Sequence, residues 1–221
     1  MSYLSFGNDS KTVKGEKQGV MTGIMYLIPD DTLCPMARNA GCRDACLVTA
    51  GRGIMSNVKA GRLRKTEEWY RDPVAFVDTL AKEIGLAVKR AEKKGMDLAI
   101  RLNGTSDIPW ENQKGSNGLS LMDTFPDVQF YDYTKLPTRK VPGNYHLTVS
   151  YSGANDSYAA KCQQSEHNLA VVFRGELPLV FAGRPVVNGD STDLRFTDPA
   201  GVVIGLTAKG AAKRDNTGFV I

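Results

Sequence analysis

Short apolar runs alternate with helical patterns along this chain, and that alternation restricts its fold more than any other feature. Val20 to Pro29 (VMTGIMYLIP) is rich in β-branched and long apolar residues and ends on a proline followed by two aspartates, which predicts a buried strand. Asp72-Pro73 opens the clearest helix. Aspartate is a good N-cap, and proline suits the first helical position because its missing N–H has no partner to lose there. Val74, Phe76, Val77, Leu80, Ile84 and Val88 then recur at helical spacing, and Gly95 supplies the stop. A poorer helical pattern runs from Ile54 to Arg71. Asp97 to Leu102, Val128 to Tyr133, Tyr145 to Tyr151 and Asn168 to Arg174 read as further strands. Ser120 to Phe125 and Ser157 to Glu166 read as short helices, and residues 1 to 19 as an irregular segment with an edge strand at Tyr3 to Phe6. The expected architecture is α/β, a mostly parallel sheet forming a partial or distorted (β/α) barrel in one domain over 1–221. Short apolar pieces separated by Gly, Asp and Pro predict a β-rich extension over 175–221. A doubly wound sheet stays open as an alternative, because strand order and closure are not encoded in periodicity.

Between the first strand and the helices lies the most unusual stretch, residues 33–53 (LCPMARNAGCRDACLVTAGRG), which holds three of the four cysteines. No run approaches the ~20 apolar residues of a membrane-spanning helix. The first residues carry neither a basic flank nor an apolar core of signal length, so the expected location is the cytoplasm. In that reducing compartment clustered cysteines serve more often as ligands or catalysts than as disulfides. Cys34, Cys42 and Cys46 follow a C-x7-C-x3-C spacing without the paired C-x2-C knuckles of structural zinc sites, which favours an iron–sulfur cluster, 4Fe-4S above other types. Ala37, Ala40, Gly41 and Ala45 are small enough to leave room for an inorganic core, Gly51 and Gly53 permit a close backbone approach, and Arg43 and Arg52 would lower the thiol pKa. Three ligands would leave a fourth iron for Cys162, for water or for an external molecule. An open iron can chelate the amino and carboxylate groups of S-adenosylmethionine, as in radical enzymes whose cluster loop also follows the first strand of a partial barrel. The spacing differs from their usual C-x3-C-x2-C.

The remaining signals are weaker. Net charge is +4 and the pI about 8.8, with the basic residues dispersed, so a dedicated nucleic-acid binder is not favoured. Phosphate-loop, dinucleotide-fold and nucleophile-elbow motifs are missing. In parallel α/β folds ligands gather at the carboxyl ends of strands. Asn103, Asp107 and Lys135 fall there and are the expected cofactor-binding residues, while His146 and His167 read as structural.

CPMARNAGCRDACLVTAGRG, the Asp72-Pro73 helix, AIRLNGTSDI and FYDYTK stand in the order found in the phage-encoded gene product 88 family, which the chain resembles over roughly residues 20 to 190. The resemblance implies a phage origin and a radical-enzyme-like barrel with a cysteine-bound cluster, and leaves activity open. Three readings follow: an iron–sulfur enzyme with a small polar ligand, a non-enzymatic iron–sulfur protein with a structural or redox-sensing cluster, and a zinc-stabilised nucleic-acid-binding module.

Overall fold

The computed structural model describes residues 2–7, 10–43, 46 and 54–221. The chain forms two compact units, Met1–Ile28 with Ser56–Asp132 and Val141–His146, and Pro29–Met55 with Tyr133–Lys140 and Leu147–Ile221.

In the first unit, β1 (Leu4–Phe6) pairs antiparallel with β2 (Val20–Met25), which lies parallel to β3 (Asp97–Arg101) from Val20↔Asp97 to Ile24↔Arg101. The next strand is β4 (Gln129–Thr134), parallel to β3. Every residue of β2 is buried, as an apolar run covered on both faces requires. The helix α3 (Pro73–Lys94) begins and ends where its caps direct: the Asp72 carboxylate accepts the Ala75 N–H at 3.0 Å, and Gly95 takes a left-handed φ of 63°. Its inward stripe of Phe76, Val77, Leu80, Ile84, Ala87 and Ala91 meets an aromatic cluster in which Tyr3 stacks on Phe76 at 4.3 Å and Trp69 contacts Trp110 at 5.0 Å. The helix before it, α2 (Ser56–Arg71), buries Arg62, Lys65, Thr66 and Trp69, which is why its apolar periodicity is poor. A short α4 (Leu121–Thr124) carries a capping box between Ser120 and Asp123.

The segment Ser10–Glu16 forms a helix, α1, where the sequence predicted irregular chain. Its SKTVKGE composition has no apolar stripe for a periodicity argument to read.

In the second unit, β5 (Tyr145–Ser150), which starts in the first unit, runs parallel to β6 (Asn168–Phe173) after α5 (Asp156–Gln163). The last strand, β9 (Val203–Thr207), lies between β6 and β8 (Arg184–Asn188), parallel to both. A two-residue turn at Ala182 and Gly183, both at positive φ, joins β8 to the antiparallel β7 (Val180–Phe181). The core gathers Val149, Tyr158, Cys162, Leu169, Val171 and Val203, with Ala40 from the cysteine segment.

The nine strands are hydrogen-bonded in the order β1-β2-β3-β4-β5-β6-β9-β8-β7. The protein is therefore mixed α/β with a mostly parallel sheet, as the alternation predicted. Among the described residues the sheet is open: its terminal strands, β1 and β7, each pair antiparallel with one neighbour, and it does not close into a barrel. Among the described residues, no helix is long and apolar enough to cross a membrane.

Candidate functional site

The cysteine segment is built from successive tight turns. Asp30 starts it: its side chain accepts the N–H groups of Thr32 and Leu33, both at 2.8 Å, and its carbonyl accepts the Cys34 N–H at 2.9 Å. The Cys34 carbonyl then accepts from Ala37, Met36 from Ala40, and Ala37 from Cys42. Leu33, Ala37 and Ala40 are buried, so small apolar residues hold the segment down. Arg43 is paired with Asp31, which also binds Arg38 at 2.7 Å, and the Arg38 contact holds the Asp31 carboxyl below its usual range. The charge expected to activate the neighbouring thiols is thus engaged by a carboxylate. Ala45, Gly51, Arg52 and Gly53 lie outside the described residues.

Cys34, Cys42 and Cys46 are half-buried, Cys162 is fully buried, and all four are thiols. Three soft donors within thirteen residues suit an iron–sulfur cluster in kind. They do not suit one in placement: among the described residues, no group of three or more His, Cys, Asp or Glu side chains is gathered closely enough to hold a metal ion. Burial pushes the Cys162 thiol up despite a hydrogen bond with Tyr158, which keeps it a neutral core group.

The second unit also contains Lys135. Its ammonium donates to the Ser150 carbonyl at 2.9 Å and lies over the rings of Phe219 at 4.6 Å and Tyr158 at 5.8 Å. The Tyr158 hydroxyl donates to the same carbonyl. His167 binds the Arg139 carbonyl through Nε2 at 2.8 Å.

Asn103 and Asp107 belong to the first unit, at the carboxyl end of β3 as expected, and both are buried. The Asn103 side chain organises its own loop: Oδ1 accepts from the Ser106 hydroxyl, the Ile108 N–H and the Trp110 indole N–H, while Nδ2 donates to the Ile108 carbonyl. One residue in this region escaped the sequence reading. Asp132, fully buried, accepts the Leu102 and Asn103 N–H groups and the Tyr145 hydroxyl, with Arg101 at 3.7 Å. Its signal was a carboxylate inside an aromatic strand, FYDYT, where an ionised group needs several donors to remain.

An open, mostly parallel α/β protein carrying a thiol-rich turn segment after its first parallel strand is the class these features define. The chain belongs to the gene product 88 family, a phage gene product family, whose sequence profile matches residues 2–221. The resemblance over residues 20 to 190 thus extends along almost the whole chain. No curated protein and no solved structure matches it.

Proposed function

We propose that this protein binds an iron–sulfur cluster through Cys34, Cys42 and Cys46. The observation that carries the reading is the set of three half-buried thiols, none in a disulfide, on a segment held by backbone hydrogen bonds and small buried residues. Soft thiolates select iron–sulfur clusters, zinc or copper(I), and the spacing lacks zinc knuckles. Among the described residues no group of three or more His, Cys, Asp or Glu side chains is already placed to hold a metal ion, and metal binding can supply free energy for arranging its own ligands.

Cys162 is a poor fourth ligand, being fully buried with a thiol held neutral. That leaves one coordination position for water or for a small polar molecule, with S-adenosylmethionine as the candidate for the latter. Support for it is positional: the segment follows β2, the first strand of the parallel run.

Anaerobic reconstitution with iron and sulfide tests the proposal. A brown protein absorbing near ~400 nm, with the band lost in Cys34→Ala, is the expected result. A colourless protein, or one loaded only with zinc, would refute it. A changed electron paramagnetic resonance spectrum on adding S-adenosylmethionine would support the external ligand, and an unchanged one would remove it.

A further inference from the structure

Asn-Gly occurs three times in the chain, at Asn103-Gly104, Asn117-Gly118 and Asn188-Gly189. Glycine has no Cβ to shield its nitrogen, so that nitrogen can reach the carboxamide of the asparagine before it. In the unfolded chain the three pairs are chemically alike. We propose that the fold singles out Asn117 as a site of non-enzymatic deamidation, converting it to aspartate and isoaspartate while Asn103 and Asn188 stay intact. The proposal is independent of metal binding.

The reaction needs only water. Hydroxide takes the Gly118 amide proton, and the nitrogen attacks Asn117 Cγ to close a cyclic imide. The bond to Nδ2 breaks, and ammonia leaves with a proton returned by water. Water then opens the imide at either carbonyl. The glycine nitrogen must therefore be able to give up its hydrogen bond, and the asparagine side chain must be able to turn toward it. A donor on Oδ1 helps, because it stabilises the charge that develops there.

Asn103-Gly104 is protected at both atoms. Asn103 is 3% exposed, its Oδ1 accepts three hydrogen bonds and its Nδ2 donates a fourth. The Gly104 N–H is held by the Met25 carbonyl at 3.0 Å, and a Cβ on Gly104 would lie 2.5 Å from that same oxygen. Asn188 is exposed, and its Oδ1 accepts the Asp190 N–H at 2.9 Å, but the nitrogen it needs is out of reach. Gly189 is buried, donates to the Gly205 carbonyl on β9 at 2.9 Å, and has Ile204 and Leu206 atoms 2.3 and 2.9 Å from where a Cβ would stand. Releasing either nitrogen means opening a packed strand end.

Asn117-Gly118 meets every condition. Both residues are exposed, and Gly118, at φ +76°, has nothing within 4 Å of a Cβ position. Its N–H bonds within the turn, to the Gly115 carbonyl at 3.0 Å. Asn117 Oδ1 accepts the Leu119 N–H at 3.0 Å, which is the polarising donor the reaction uses. The turn docks on α3, where the Ser116 N–H donates to Asp78 Oδ1 at 2.9 Å. Deamidation adds a carboxylate to a turn that already rests on one. Isoaspartate also lengthens the backbone between Gly115 and Leu119, whose N–H and carbonyl close the turn at 3.0 Å.

The experiment incubates the full chain at pH 8 and 37 °C, folded and in urea, and follows each asparagine by peptide mass mapping through the gain of about 1 Da per conversion. In the folded chain Asn117 should convert at least ~10-fold faster than Asn103 and Asn188, and in urea the three rates should agree within about 3-fold. Asn117→Gln should abolish the fast conversion, and Asn188→Gln should leave it unchanged. Equal rates in the folded chain, an earlier conversion of Asn103 or Asn188, or a fast conversion that survives Asn117→Gln would overturn the proposal. So would a ~10-fold preference for Asn117 that persists in urea, which would assign the selectivity to local sequence instead of the fold.

Discussion

The loop after β3 and the cysteine segment after β2 occupy equivalent places after parallel strands, and they use their polar side chains in opposite ways. In the first, side-chain polar groups face inward and satisfy one another. The Asn103 side chain makes four hydrogen bonds, and Asp132, on the adjacent β4, receives three donors besides the nearby Arg101. In the second, the backbone makes the turns, and the thiols stay half-exposed on top of them. Buried, mutually satisfied polar groups specify architecture, because any one removed leaves the others unpaired in a place water does not reach. Half-buried thiols on a backbone-held turn leave the architecture to the main chain. The comparison assigns structure to the first loop, and the proposed ligand chemistry falls on the second.

That contrast breaks most visibly at Asp132. Asp132→Ala removes the acceptor of two N–H groups and a tyrosine hydroxyl and the carboxylate 3.7 Å from Arg101, and should cost ~4 kcal/mol in urea-induced unfolding. Asn103→Ala strands the Trp110 indole and the Ile108 backbone, and should cost ~3 kcal/mol by the same measurement. A loss below ~1 kcal/mol at both positions would return Asn103 to the list of ligand-binding candidates.

Lys65 sharpens the same side of the comparison. Its buried ammonium donates to the Tyr3 carbonyl, and burial together with the Arg62 charge lowers its pKa from 10.5 to about 8. Between those values the unfolded chain holds a proton that the folded chain has released, so stability should rise with pH, by an amount on the order of 2 kcal/mol. Burial and Glu68 push Tyr3 from 10.0 up to about 12, which acts in the opposite direction and lowers stability above pH 10. Unfolding curves at pH 7, 8.5 and 10 check this rise, and Lys65→Met should abolish it. At the small end of the scale, replacing Cys34, Cys42 and Cys46 together by serine should change the stability of the metal-free chain by less than ~1 kcal/mol. A larger loss would make them packing residues and erase the contrast.

Much of this was legible in advance, for identifiable reasons. The α3 caps are local chemistry: Asp72, Pro73 and Gly95 act on their own neighbours, so their effect is readable from three positions. Apolar runs such as β2 and β6 announce burial directly. Strand order is a different matter, since placing β9 between β6 and β8 depends on contacts far apart in sequence. The inward-facing Arg62 and Lys65 disguised α2, because buried cations resemble a solvated face until their partners are visible. Asn103 was expected to bind a ligand from its place after β3; what is seen is its amide organising the loop that carries it, a role that turn-forming composition alone does not distinguish from binding. The cysteine spacing singled out a segment for metal binding, but spacing carries no information on side-chain placement, and among the described residues no group of three such side chains is placed to hold a metal ion.

Iron and acid-labile sulfide per chain, determined anaerobically for the wild type and for the triple serine variant, test the central claim most directly. The account predicts about four of each in the wild type and almost none in the variant. An iron-free wild type, or a variant that binds as much iron as the wild type, would contradict it.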